Sequence, residues 1–410
     1  MAAMTPNPPA PRSDAAADRS VLMVCVAAML SLAVAMGVGR FAFTPLFPLM
    51  VRDGLLGNES GALLAAANYL GYLVGALLAA RVRLRVAALL ALGLIGTVTV
   101  TAAVGWTTSV SAWALLRFVA GVLSAWTLVA TSAWALGWLA VHGRAQLAGV
   151  VFAGVGLGIA VAGVYCVVAA RPDVTAARMW IELGALAGLA ILVPLAVSRR
   201  HPTPPLALPA EAPGSASPEA DARLPAGTRG LVVAYSLFGF GYILPATYLP
   251  ALARQLIDDP QIFGWAWPVF GTAAAISTLV AAWGLRRFDR RNVWAASHVV
   301  MAIGVLLPSV WASLASIVIA ALCVGGTFMV ITMVAMQEAR ARAEHNATTI
   351  LARMTAGFAF GQLMGPVVSA ALVRLTADFS SALDIALFVA ASGLVASALY
   401  LRHAVSADAG

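Results

Sequence analysis

Residues 21–50 read VLMVCVAAMLSLAVAMGVGRFAFTPLFPLM, an apolar run in which Arg40 is the only charged residue. It is longer than the roughly 20 residues that a helix needs to cross a bilayer core, so a membrane span is expected here. Inside the run, Gly37-Val38-Gly39-Arg40 leads on to Pro45 and Pro48. Gly and Pro on both sides of a charge weaken the helical hydrogen-bond ladder, and a broken or bent span is expected around Arg40. A charge at that depth has to face protein or water rather than lipid. A cleaved leader ending at Ala33-Val34-Ala35 is the alternative for the start of the run, but the run continues to Met50 and further spans follow.

The rest of the chain repeats the pattern. Stretches of about twenty apolar residues fall near 61–80, 86–105, 111–140, 147–170 and 178–197, then 229–253, 263–284, 292–312, 314–337, 349–374 and 378–402. With the first run this gives six spans and then six more, an all-α membrane protein of twelve transmembrane helices. Hydrophobic residues make up 61% and charged residues 10% of the chain, at a mean hydropathy of +0.91. A water-soluble fold has no means of covering that much apolar surface. Between the two groups, 198–228 carries Pro202, Pro204, Pro205, Pro209, Pro213, Pro218 and Pro225 among small and charged residues, and reads as a flexible central loop. The expected organisation is a disordered tail over 1–20, a six-helix bundle over 21–197, the loop, a second bundle over 229–402, and a short tail over 403–410.

The net charge of +8 comes from Arg, since the sequence holds no Lys. A basic chain could bind nucleic acid, but these arginines sit in short clusters between spans, where anionic headgroups are their natural partners. Arg81, Arg83, Arg85, Arg144, Arg286, Arg287, Arg290, Arg291, Arg340 and Arg342 fall in short loops on one side, against Arg52, Arg171, Arg178, Arg254 and Arg374 on the other. The positive-inside rule then places both termini and the central loop in the cytoplasm, with the chain in a bacterial inner membrane.

The halves also resemble each other. Gly37, Gly39, Pro48, Arg52 and Glu182 recur as Gly239, Gly241, Pro250, Arg254 and Asp384 at one constant displacement. A duplicated six-helix unit explains this most simply, and such halves bind solute at their interface near the bilayer midplane.

Twelve spans in two related halves with a long central loop resemble the major facilitator superfamily. Its loop pattern between spans two and three, G-x-L-x-D-R-x-G-R-[RK], is matched by Gly75, Leu77 and Arg83, with Ala79 at the acidic position. The corresponding loop of the second half, Arg286-Arg287-Phe288-Asp289-Arg290-Arg291, keeps an acid among basic residues and is the better copy. The resemblance implies gating roles for Arg83, Asp289 and Arg290; plain membrane anchoring explains their charges equally well. Arg117-Phe118-Val119-Ala120-Gly121 resembles the superfamily's R-x-x-x-G pattern, which implies a cavity-facing Arg117 linked to proton movement. Arg117 lies about two turns from the outer end of its span, and snorkelling of its side chain to that face is the alternative.

A narrower resemblance is to the YbfB/YjiJ group. It rests on Gly37 to Leu46 with Pro48, on Asn68-Tyr69-Leu70-Gly71-Tyr72-Leu73 with Gly75, and on Gly241-Tyr242-Ile243-Leu244-Pro245-Ala246-Thr247-Tyr248-Leu249-Pro250. It covers 21–402 and implies a secondary transporter without cofactor or metal, working by alternating access on a small organic solute. It also implies an ion gradient, most often of protons, and a monomer is expected. A cavity lined by spans one, two, four, seven, eight, ten and eleven is expected between the bundles.

Candidate solute contacts follow from residue type. Arg40 is expected to anchor a carboxylate or other anion; a structural Arg held by backbone carbonyls, or paired with Asp53, is the alternative. Asn68, Tyr69, Tyr72, Tyr242, Thr247, Tyr248 and Gln362 supply hydroxyl, amide and ring contacts. Gly37, Gly39, Pro45, Pro48, Gly154, Gly158, Gly241, Pro245, Pro250, Gly361, Gly365 and Pro366 are expected to allow close helix packing and bending. Trp265 and Trp267 read as an interfacial aromatic belt. Glu182 and Asp384 lie near outer ends and read as structural.

Other classes are disfavoured. With no Lys, no Lys-bearing phosphate loop exists. Cys25, Cys166 and Cys323 each lie inside an apolar run, and His142, His201, His298, His345 and His403 are scattered singly, so no metal or catalytic cluster is suggested. No carboxylate sits unambiguously at mid-depth, which leaves His298 or Arg-linked water for protons and keeps uniport or anion exchange open. A proton-coupled drug or metabolite efflux antiporter is one alternative. A non-transporting membrane sensor is another, although 198–228 is too poor in apolar residues to form a signalling domain.

Overall fold

Backbone that crosses a bilayer has to satisfy its own hydrogen bonds, and the helix does so within one segment. The structure, a computed structural model, describes residues 14–82, 84–203, 228–256, 260–311, 313–343, 347–376 and 379–408, and all regular structure among them is helical. Twelve of its helical segments are long and apolar enough to cross a membrane. The first six are Asp18–Arg52, Ser60–Ala79, Val86–Val104, Val110–Val141, Ala145–Ala169 and Ala176–Arg200. The second six are Thr228–Ala246, Trp265–Gly284, Arg290–Val310, Leu314–Ala341, Ala347–Thr376 and Ser381–His403. They are called spans one to twelve below.

The first helix begins at Asp14, inside the stretch expected to be a tail, and the last runs on to Asp408 through the expected C-terminal tail. Near the start of this helix Asp18 pairs with Arg144 at 2.7 Å. Residues 204–227 of the expected central loop lie outside the described residues.

Because the number of spans is even, the described ends at Asp14 and Asp408 lie on one face. The halves meet along spans five and eight, where Gly156 lies against Ala275 and Gly271; a Cβ on either glycine would overlap the other helix's backbone. Gly149 meets Thr278 and Ala282 towards one end, and Gly163 meets Pro268 towards the other, so the contact runs the length of both helices. Small residues are what permit that approach. Near the face carrying the termini, Gln337 of span ten donates to the Ala145 carbonyl at 3.0 Å. Beside it the Arg340 guanidinium crosses to span four, where a Cβ on Gly137 would stand 2.9 Å from Nη2.

The opposite end of the first half is tied by Arg52 and Asp53. Arg52 pairs with Asp53 at 2.7 Å and donates to the carbonyls of Arg171 and Val174. The second Asp53 oxygen accepts from the Ala176 N–H at 2.6 Å, at the start of span six. Asp53 is therefore a helix-end partner and not a counter-ion for Arg40.

Candidate solute site between the two halves

The break expected in the first span takes the form of a π-helix over Ala33–Phe41, followed by an α-helix over Phe43–Arg52. The wider turn and the missing N–H of Pro45 free carbonyl groups near Arg40. Arg117 of span four takes them: Nη1 donates to the Gly39 carbonyl at 3.0 Å and Nη2 to the Arg40 carbonyl at 2.9 Å. Its side chain is 5% exposed and its Cζ stands 4.8 Å from the Phe43 ring centroid, so it is turned inward rather than snorkelling to the face. The arginine bound to backbone carbonyls is thus Arg117, not Arg40. Nearby, Asn68 Nδ2 donates to the Arg117 carbonyl at 2.9 Å, tying span two to span four, while its buried Oδ1 has no partner in the protein.

Arg40 itself reaches across to the other half. Nη2 donates to Oε1 of Gln362 on span eleven, and Cζ lies 3.9 Å from the Tyr72 ring centroid, with Phe41 at 5.6 Å and Tyr69 at 5.7 Å. The residue is 2% exposed, and Nε and Nη1 have no hydrogen-bond partner in the protein. Among the described residues the ion pairs lie elsewhere, and no acidic side chain pairs with Arg40 or Arg117.

Aromatic rings from the second half face this guanidinium. Tyr242 is 3% exposed and stacks on Phe328 of span ten at 5.2 Å, and Phe358 of span eleven stands edge-on to Tyr72 at 6.4 Å. Phe358 and Gln362 are one helical turn apart, which puts them on one face. Trp267 lies inside rather than in an aromatic belt: it is half-buried, 6.4 Å from Phe41 and stacked on Phe270 at 5.4 Å. The helix of span eight starts at Pro260, which sets Trp267 about two turns in. Trp265 is 50% exposed. The side chains of Thr247, Tyr248 and Pro250, and Arg83 as a whole, lie outside the described residues.

Residues 32–402 match the family described as "Uncharacterised MFS-type transporter YbfB". The chain belongs to that family. As a YbfB-type protein it is an integral membrane transporter, and solved structures of the same fold agree. The human organic anion transporter MFSD10 (TETRAN) aligns at a TM-score of 0.69 and 16% identity, over 96% of this chain and 100% of that one. FucP, a major facilitator transporter solved in the outward conformation, aligns at 0.66 and 15%, over 92% and 98%. At these identities the likeness shows the fold alone. No curated protein sequence matches the chain.

In the YbfB-type transporter the remaining candidates spread over both halves. Asp289 caps span nine by accepting from the Arg291 N–H at 2.8 Å. The acid around which the nearby cations gather is Glu338 of span ten, to which Arg290, Arg291 and Arg342 donate at 3.0, 3.0 and 3.1 Å. Gly37 and Gly158 bring spans one and five into backbone contact beside the π-helix, a position where a Cβ on Gly37 would stand 2.9 Å from the Ile159 nitrogen. Gly154 lies against Met29, Gly39 against Thr97, Gly241 against Leu394, Gly361 against Ser236 and Gly365 against Ile243. Pro45 is half-buried and Pro48 exposed; Pro245 is buried in span seven, and Pro366 is half-buried within span eleven.

Three further groups stand apart from Arg40. His298 is fully buried inside the second half and accepts from Trp294 Nε1 at 2.9 Å. Glu182 is held by Tyr165 and by Arg178 at 2.7 Å. Asp384 is half-buried near the start of span twelve.

Proposed function

We propose that this membrane transporter moves a small organic monoanion by alternating access, holding the anionic group on Arg40 between the two six-helix bundles. The observation that carries the reading is the buried Arg40 guanidinium, whose Nε and Nη1 find no acceptor in the protein. A buried charge is costly unless it is paired and hydrogen-bonded, and a guanidinium presents two parallel donors that match a carboxylate. The solute class printed for the human relative, organic anions, is consistent with this, as an analogy at the level of fold. By the distribution of Arg, the face carrying the termini is the cytoplasmic face of a bacterial inner membrane.

The rocking surface in this reading is the close contact of spans five and eight, and the Gln337–Ala145 and Arg340–Gly137 contacts hold the cytoplasmic side shut in this state. The charge on Arg40 is balanced by the solute's own, which supports uniport or anion exchange over proton binding at this site. A thermal-shift screen of the purified protein against monocarboxylates, sugars and amphipathic cations tests the reading. Stabilisation by monocarboxylates is expected, and stabilisation by sugars or cations alone would overturn it. In vesicles, an imposed pH gradient should leave the uptake of a stabilising acid unchanged; uptake that follows that gradient would contradict the coupling.

A further inference from the structure

Next to Arg40 the rings of three spans form a continuous stack. Trp267 and Phe270 of span eight lie 9° from parallel at 5.4 Å, Phe270 and Phe328 lie 21° apart at 5.3 Å, and Phe328 and Tyr242 lie 19° apart at 5.2 Å. Phe41 joins this stack to the guanidinium: its ring stands edge-on to Phe328 at 6.3 Å and 6.4 Å from Trp267, and Arg40 Cζ lies 5.6 Å from it. A stack of this kind serves as ordinary core packing wherever its polar atoms are satisfied. Here they are not, because the buried indole Nε1 of Trp267 has no acceptor, and neither have Nε and Nη1 of Arg40. Buried donors of these types nearly always have a partner.

Resting on the reading of Arg40 as the anion anchor, we infer that the solute is an aromatic monocarboxylate. Its carboxylate meets Arg40, its ring lies against the stack beside Phe41, and an acceptor at the far end of the ring takes the Trp267 N–H. A flat conjugated ring can extend such a stack, whereas a saturated ring of equal size has no π-face to present. The carboxylate supplies the counter-charge missing beside Arg40.

Calorimetric titration of the full-length purified protein with benzoate and cyclohexanecarboxylate decides between them. Aromatic contacts beyond simple burial predict that benzoate binds roughly threefold to tenfold tighter. Both acids should weaken in Arg40→Ala, and the preference for benzoate should shrink in Phe328→Leu. Trp267→Phe keeps the ring and removes the donor, so it should weaken 4-acetylbenzoate by about threefold or more while leaving 4-ethylbenzoate unchanged. Equal affinity for the two unsubstituted acids, both still dependent on Arg40, would refute the aromatic class and leave the anion reading standing. Affinities indifferent to Arg40→Ala would refute the anion reading itself. Failure of folded wild-type protein to bind either acid would overturn the inference.

Discussion

Replacing Arg117 by Ala removes two donors from the π-helical segment of the first span. The bonds are 3.0 and 2.9 Å long, charge-assisted and buried, and they end on the carbonyls of Gly39 and Arg40. Each is worth about 1.5–3 kcal/mol, so the pair contributes on the order of 3–6 kcal/mol to holding that segment. The backbone that positions the Arg40 guanidinium is the backbone that Arg117 grips. We therefore predict that Arg117→Ala reaches the membrane folded but melts at a lower temperature and loses turnover. Lys offers a point charge where Arg offers a two-pronged fork, serves one carbonyl at a time, and should recover about half of the loss. The assay is labelled benzoate flux in proteoliposomes, with size-exclusion profiles and thermal unfolding in detergent run in parallel. An Ala variant that melts with the wild type and transports at its rate would refute this account of Arg117.

Three other outcomes are expected. Gly271→Leu pushes a side chain into span five at Gly156, an overpacking cost of about 1–3 kcal/mol; the protein should stay monodisperse while flux is lost, and normal flux would show that spans five and eight need not slide closely. Glu338→Gln removes the buried carboxylate to which Arg290, Arg291 and Arg342 donate and should cost about 3 kcal/mol on unfolding in detergent, whereas Arg290→Ala, at a 41% exposed side chain, should cost little. Reporter fusions after Arg83, within 205–220 and after Arg291 should report cytoplasm and fusions near Asn58 and Asp258 the external side, and one inverted site within 21–197 would overturn the six-plus-six arrangement.

The twelve spans were legible because bilayer thickness is a single length against which apolar runs can be counted. The irregular turn at Arg40 stands out too: Gly and Pro change backbone chemistry locally and in sequence order, and a π-helical turn lies there within one continuous span. What the sequence leaves open is the direction of a side chain on a helix. Arg40 and Arg117 both read as a buried guanidinium, and three-dimensional packing assigns one to backbone carbonyls and the other to the opposite half. Asn68 reads as a solute contact beside Tyr69; the fold adds that its Nδ2 donates to the main chain of span four while its buried Oδ1 has no partner in the protein. The stack of Trp267, Phe270, Phe328 and Tyr242 was not legible, because its members come from three spans and no spacing along the chain joins them. Likewise Asp289 stands out for its basic neighbours, while the acid that gathers the cations, Glu338, is a distant residue that only the fold brings close.

The central claim is that Arg40 meets a negative charge on the solute. Its most direct test is the affinity of benzoate and of benzamide for the wild type and for Arg40→Ala, measured on folded protein. Loss of a charge-assisted hydrogen bond predicts that benzoate weakens by roughly tenfold to a hundredfold in the variant while benzamide changes far less. Equal losses for the acid and the amide would contradict the claim, and would show that Arg40 supports the packing of the first span against span eleven rather than the solute.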